Sequence, residues 1–150
     1  MPTPHPSHTR AHTSTVQTAF RLLLGAALIF AGTSHLTWSR LEFRAQVPRW
    51  LPLPVDLVVV GSGLAELALG GALLALGRYQ RTVGWLAAAF FVAIFPGNIS
   101  QYLNRVDAFG LDSDLARAAR LLFQPLLVAW ALWATGAWRA AIKWRRRAGP

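Results

Sequence analysis

The most constraining feature of this chain is a set of four apolar blocks, each close to the length that crosses a lipid bilayer. The blocks cover residues 16–36, 55–77, 82–103 and 115–138. A helix needs about 20 residues to cross a bilayer core of roughly 30 Å. Only helices and closed barrels satisfy their backbone in lipid, and the blocks lack the alternation of barrel strands. The sequence therefore predicts an all-α integral membrane four-helix bundle.

Composition supports a membrane location over a soluble fold. Apolar residues make up 54% of the 150 residues and charged residues only 14%, whereas soluble domains carry roughly a quarter charged residues. Four helices buried in a soluble core would need more polar covering surface than this chain has. The chain has no cysteine, which excludes disulfides and thiolate chemistry. No metal site is predicted.

The ends and the first loop differ in composition from the apolar blocks. Residues 1–15 are rich in Pro, Ser, Thr and His, which predicts a flexible cytoplasmic tail. Residues 139–150 predict a basic cytoplasmic tail, leaving 16–138 as the transmembrane domain. Basic and apolar residues alternate over 40–50, which predicts a short interfacial helix that Pro48 ends. The first block lacks a small-x-small cleavage site, so we expect it to be retained.

The net charge of +9 is divided unequally between the two predicted sides. The side of both termini holds Arg10, Arg78, Arg81, Arg139, Lys143, Arg145, Arg146 and Arg147, and the other side holds Arg40, Arg44, Arg49 and Arg105. The positive-inside rule then places both termini in the cytoplasm of a multi-pass membrane protein. The expected partner of the basic tail is the anionic lipid bilayer and not nucleic acid.

Five polar side chains fall inside the predicted spans, where each is costly and is by default a candidate functional group. They are His35, Glu66, Asn98, Arg120 and Gln124. Each shares a helical face with small residues, which mark contacts between helices in membranes. We therefore expect all five to point into the bundle, between its midplane and its outer surface.

Glu66 and His35 are the candidate catalytic residues, and each has two interpretations. Glu66 is either a carboxylate that handles protons or anchors a ligand, or one half of a structural ion pair with Arg120, whose long stem could reach it. His35 is either a proton shuttle or a hydrogen-bonding residue at the membrane interface. Arg120, together with the amides of Asn98 and Gln124, is a candidate ligand-binding group.

The two amide residues each lie beside a proline. Pro96 precedes Asn98 by two residues, and Pro125 follows Gln124 directly. Because proline lacks an N–H and crowds the preceding turn, we expect a kink near residue 92 and a freed carbonyl there. The amide and the carbonyl would either bind a ligand or satisfy each other within the packing.

Several short motifs follow one another in a recognisable order over residues 20–135. They are Gly32-x-x-His35, Pro48-x-x-x-Pro52, Ser62-Gly63-x-x-Glu66-x-x-x-Gly70, Phe95-Pro96-Gly97-Asn98-Ile99 and Arg120-Leu121-x-x-Gln124-Pro125-Leu126. This order resembles the DoxX-like family of small four-span bacterial membrane proteins. The resemblance implies a four-helix bundle in the cytoplasmic membrane. Some relatives are associated with quinone-linked sulfur oxidation or redox-stress complexes, and most have no established activity.

Three functions remain open. The first is a redox-associated membrane subunit that holds a quinone, with Glu66 and His35 exchanging protons and Asn98 or Arg120 binding oxygens; electrons would come from a partner protein, since no other cofactor signature is evident. The second is a non-catalytic binder, transporter or assembly factor with a structural polar cluster. A transporter of four spans would require a homo-oligomer. The third is an isomerase-type enzyme that acts on a lipophilic substrate. The sequence leans against independent catalytic activity without deciding the question.

Overall fold

The chain is mainly helical in the part described by the computed structural model, residues 13–147, with side chains described through Ile142. Its helices are α1 (Thr15–Leu36), α2 (Arg40–Gln46), α3 (Val55–Ala75), α4 (Gln80–Leu103), α5 (Asp114–Ala134) and α6 (Ala137–Arg147), with a 3₁₀ turn at Gly77–Tyr79 before α4. No strand occurs in residues 13–147, so the predicted all-α class is confirmed. Most of the predicted tail at 1–15 lies outside the described residues.

Four of the helices are long and apolar enough to cross a membrane. They are α1, α3 and α5, and also α4 when the 3₁₀ turn before it is included. Large apolar side chains cover their outer surface: Phe30 on α1 is 67% exposed and Leu122 on α5 is 72% exposed. A soluble protein rarely exposes so much apolar surface. The outer surface of these helices therefore indicates contact with a lipid bilayer.

The last long helix is shorter than the apolar block that predicted it. Helix α5 ends at Ala134, although the apolar block continues to Trp138. Gly136 has a φ of +69°, a left-handed conformation that glycine adopts without steric cost and that commonly ends helices. The chain turns there and α6 begins at Ala137. Neither Pro96 nor Pro125 ends the helix that contains it.

The four long helices form two closely packed pairs, α1 with α3 and α4 with α5. Glycines bring the backbones of α1 and α3 together. A Cβ atom on Gly32 would lie 2.6 Å from the carbonyl oxygen of Gly63, and one on Gly70 would lie 2.7 Å from that of Gly25. Small residues allow this close approach in membranes, where helices gain from van der Waals packing and little from the hydrophobic effect.

The two pairs meet at the end of the bundle that contains the start of α1 and the end of α5, which we call the closed end. Phe20 of α1 makes edge-to-face contacts with Trp130 and Trp133 of α5, with ring centroids 5.9 and 5.4 Å apart. Buried Leu73 of α3 and Val83 of α4 belong to the same core. The pairs are thus held together at the closed end, on both sides of the bundle.

Buried polar side chains at the closed end find main-chain partners. Gln17 donates from Nε2 to the carbonyl of Trp133 at 2.7 Å, and it forms a capping box with Ser14 at the start of α1. Arg21 donates to the carbonyl of Leu73, one of the carbonyls that the end of α3 leaves without an intrahelical partner. The contact of Gln17 joins α1 to α5 and so links the two pairs, whereas the contact of Arg21 joins α1 to α3 within one pair.

Candidate ligand-binding cavity

A cavity of about 880 Å³ lies between the two helix pairs at the opposite end of the bundle. We call this end the α2 end, because α2 and the loop at 104–113 lie there. The wall is mainly apolar, with Leu28, Val59, Phe91 and Leu127 among its residues. The volume is within the range of roughly 300–1,000 Å³ that small-molecule sites occupy, and such sites are usually apolar with a few polar groups.

All five polar residues that the sequence singled out lie on the wall of this cavity. They are His35 from α1, Glu66 from α3, Asn98 from α4, and Arg120 and Gln124 from α5. The first three and Gln124 are buried, and Arg120 is partly exposed. Four separate helices therefore direct polar groups into one space, as their positions on the small-residue faces predicted.

His35 and Glu66 form a close pair within the tight α1–α3 interface. The Nε2 atom of His35 lies 3.5 Å from Oε2 of Glu66. Ser62 donates its hydroxyl to the carbonyl of Val59 at 3.0 Å, so its oxygen is available to accept from Nδ1–H of His35 at 3.1 Å. This network assigns the ring proton to Nδ1 and turns the other ring nitrogen toward the carboxyl group.

The separation of the His35–Glu66 pair is slightly beyond an ordinary hydrogen bond. Glu66 Oε2 is buried and has no hydrogen-bond partner within residues 13–147. Buried polar atoms are nearly always hydrogen-bonded, and exceptions often occur at functional sites. A small movement, or a ligand that bonds to the carboxyl group, would satisfy this oxygen. The pair is therefore placed to pass a proton between imidazole and carboxyl, or to a molecule in the cavity.

The ion pair between Glu66 and Arg120, one of the two interpretations of Glu66, is not formed. Among the described side chains, the charged partner of Glu66 within 4 Å is His35, and the Arg120 guanidinium lies 4.9 Å from the centroid of the Phe109 ring. The two residues belong to different helix pairs, α3 in one and α5 in the other, and the cavity separates these pairs. Glu66 instead lies next to His35, which belongs to the same helix pair.

Asn98 and Gln124 bind each other across the α4–α5 interface. Nδ2 of Asn98 donates to Oε1 of Gln124 at 2.9 Å, and Nε2 of Gln124 donates to the carbonyl of Phe91 at 2.6 Å. Phe91 lies in the turn that precedes Pro96, where the proline disturbs the helical hydrogen bonds. The amides thus bind each other and the carbonyl of Phe91, one residue before the Val92 carbonyl that Pro96 leaves without its helical donor, and the amide that reaches Phe91 is on the neighbouring helix.

Aromatic rings that the sequence analysis missed cover the cavity at the α2 end. Phe43 of α2 packs against the His35 ring and makes an edge-to-face contact with Phe109, with centroids 4.6 Å apart. The main-chain N–H of Phe109 donates to the Glu42 carboxylate. Phe109 has a φ of +58°, which is uncommon for a bulky residue and is found where surrounding contacts enforce it. The sequence signal that could have located these rings is the presence of a phenylalanine in each of two otherwise polar segments.

Two further contacts hold the cover in place, and the sequence analysis missed both. Gln46 of α2 donates to buried Gln101 of α4 at 2.9 Å. Arg117, which is buried, donates to Asp107 at 2.6 Å and to Asp114 at 3.0 Å, closing the 104–113 loop onto the start of α5. The charge of Arg117 is therefore matched by carboxylates of its own loop and helix.

Comparison with known proteins identifies a family for this architecture without naming an activity. No curated protein and no solved structure matches the chain. The family model described as Domain of unknown function (DUF8561) matches residues 24–135. The match includes every residue on the cavity wall, from Leu24 to Leu127, all of α3, α4 and α5, and α1 from Leu24 onward. The chain therefore belongs to the DUF8561 family.

Proposed function

We propose that this protein binds a lipophilic molecule bearing hydrogen-bonding oxygens, of the quinone class, inside the membrane. The observation that carries the proposal is the convergence of polar groups from four apolar helices on one cavity of about 880 Å³. The apolar wall would hold the body of the ligand and exclude water. The few polar groups would orient its oxygens, as in other small-molecule sites.

The His35–Glu66 pair is the proposed proton-exchanging group. Reduction of a quinone oxygen requires a proton, and oxidation of the hydroquinone releases one. The carboxyl group of Glu66 can give this proton when it is protonated and accept one when it is ionised. Nε2 of His35, 3.5 Å away, can take a proton from the carboxyl group, and it can return one only after the imidazole has been protonated. General acid–base groups act at such distances once the ligand is seated. The residues of this chain supply protons and hydrogen bonds, and we propose that a partner protein supplies the electrons.

The proposed setting is the bacterial cytoplasmic membrane, with both termini in the cytoplasm. The uneven distribution of basic residues supports this orientation, which would place the cavity in the outer half of the bilayer. The ordered motifs that resemble the DoxX-like family support the association with quinone-linked redox proteins. The short helix α2, with Glu42 and Phe43 over the cavity, would then lie at the outer membrane surface.

A binding experiment with a matched pair of variants tests the proposal. The purified protein in lipid nanodiscs is titrated with decylubiquinone, and quenching of tryptophan fluorescence is followed, since Trp50 lies on the cavity wall. Ala31 also lines the cavity, whereas Ala26 on the same helix is exposed outside it. We expect saturable binding by the native protein and by Ala26→Phe, and weakened binding by Ala31→Phe. Equal binding by both variants, or none by the native protein, would contradict the proposal.

A non-catalytic role is the second candidate, and the Asn98–Gln124–Phe91 chain favours it for part of the polar cluster. These groups satisfy one another at 2.9 and 2.6 Å and so need no ligand. In this alternative the amides stabilise the contact between α4 and α5, and the cavity binds a lipophilic molecule without taking part in a reaction. Binding of decylubiquinone that is unaffected by Glu66→Gln, with no change in the reactivity of the bound quinone, would favour this alternative.

A further inference from the structure

We infer that Arg120 forms a subsite for an anionic oxygen, so that the cavity binds a lipophile with a carboxylate or an ionised phenol, such as an ionised hydroquinone, more tightly than a neutral lipophile of similar shape. The inference rests on the proposed function and deepens it by specifying the chemical class of the ligand. Its basis is the difference between two arginines one turn apart on α5, together with the distribution of charge on the cavity wall.

Arg117 and Arg120 lie on the same helix in very different surroundings. Arg117 is matched by two carboxylates, Asp107 and Asp114, and also donates to the carbonyl of Leu111 at 2.8 Å. Among the described residues, Arg120 has no carboxylate within 4 Å and donates no hydrogen bond; its contact is the face of the Phe109 ring. A guanidinium has five N–H donors and no acceptor. Those of Arg120 face a cavity and have no protein acceptor.

The other titratable groups on the wall do not pair with Arg120. They are His35 and Glu66, which contact each other at 3.5 Å within the α1–α3 pair. A charge inside a membrane protein is normally paired or directed at a functional ligand. Arg120 therefore lacks a counter-charge that a ligand can provide.

The shape and lining of the cavity fit an anionic head with an apolar body. A guanidinium binds a carboxylate through two parallel hydrogen bonds, a stronger and more specific contact than one with a neutral oxygen. Apolar residues Leu24, Leu28, Phe123 and Leu127 line the same space. Phe109 under the guanidinium holds it by a cation–π contact, which leaves its hydrogen-bonding edge for the ligand.

Photoaffinity labelling tests the inference with two probes that differ in charge and by one methyl group. The full chain in phosphatidylcholine nanodiscs is exposed to diazirine-bearing hexadecanoate or to the methyl ester of the same probe, and labelled residues are quantified by mass spectrometry. The variants are Arg120→Gln, Arg120→Lys and Arg105→Gln, the last a control because Arg105 is exposed at the same end of the bundle. Retention of helical circular dichroism verifies that each variant is folded.

We expect the native protein and Arg105→Gln to be labelled at the cavity about 10- to 100-fold more by the acid than by the ester, in line with a charged hydrogen bond. Arg120→Gln should remove the preference, and Arg120→Lys should retain part of it.

Phosphatidylglycerol added to the nanodiscs should not displace the acid. If it does, the anion that Arg120 binds is a lipid headgroup, and the inference of a single-chain acid as the ligand is wrong. Equal cavity labelling by acid and ester overturns the inference alone. Labelling of the cavity by neither probe, together with failure to bind decylubiquinone, overturns the proposed function as well.

Discussion

The two ends of the helix bundle use similar residues for different purposes. At the closed end, Gln17 and Arg21 donate to main-chain carbonyls of neighbouring helices, and aromatic side chains fill the space between the pairs. At the α2 end, the pairs enclose a cavity, where Glu66 Oε2 and the whole guanidinium of Arg120 have no hydrogen-bond partner among the described residues, whereas Arg21 at the closed end leaves only its Nε buried without one. The difference indicates that one half of each helix stabilises the fold and the other half is available for a ligand.

The largest effect on stability is expected from the α1–α3 contact that supports both ends. Gly70→Ala places a Cβ 2.7 Å from the main-chain oxygen of Gly25, whereas Gly71→Ala, one position later, meets nothing within 4 Å. Overpacking of this kind costs about 1–3 kcal/mol. Gly70→Ala should therefore lower the free energy of unfolding in detergent, measured by circular dichroism, and Gly71→Ala should not. Equal stability of the two variants would show that the helices can separate without loss.

A smaller loss of stability, without loss of binding, is expected at the closed end. Gln17→Ala removes the hydrogen bond to the Trp133 carbonyl and half of the capping box on α1. Contacts of this type contribute roughly 0.5–2 kcal/mol. The variant should unfold at a lower temperature and bind decylubiquinone with unchanged affinity. Val16→Ala, at an exposed neighbouring position, is the control. Weakened binding by Gln17→Ala would mean that the two ends are not separable.

The smallest effect on stability, and the clearest effect on chemistry, is expected at Glu66. Glu66→Gln keeps the shape of the side chain and removes the proton-exchanging group, and the affected oxygen has no hydrogen bond to lose. We expect a change of less than about 1 kcal/mol in unfolding free energy. Reduction of bound decylubiquinone by dithionite should slow by about 100-fold, the lower range for a general acid.

The control for Glu66→Gln is Asp56→Asn, at an exposed acid paired with Arg40 and Arg44. This variant should leave both the stability and the reduction rate near the native values. A Glu66→Gln protein that is strongly destabilised and reduces the quinone at an unchanged rate would contradict the proposal. It would show that the carboxylate stabilises the fold, as the polar side chains of the closed end do.

Much of this arrangement was accessible from the sequence, because membranes impose simple rules. The length of the apolar blocks predicted four long helices, and the small residues around Glu66 and Asn98 predicted the buried faces. The end of the last long helix was not predictable from hydropathy, since apolar residues continue to Trp138. The left-handed backbone at Gly136 decides where that helix ends.

The partners within the cavity could not be predicted, because they depend on which helices pair. The sequence places Glu66 and Arg120 between the midplane and the outer surface of the bundle but does not show that α1 packs on α3 and α4 on α5. Because of that pairing, Glu66 lies next to His35 and Arg120 lies over the ring of Phe109. The fold of the 104–113 loop depends on tertiary contacts such as the one between Phe109 and Glu42, which no local pattern specifies.

Native mass spectrometry of the protein extracted from its own membrane in mild detergent tests the central claim most directly. If the α2 end is a ligand site, the native chain and Ala26→Phe will carry an additional lipophilic mass at fixed stoichiometry, and Ala31→Phe will lose it. A chain that shows only its own mass, or a lipid adduct that Ala31→Phe retains unchanged, would contradict the account.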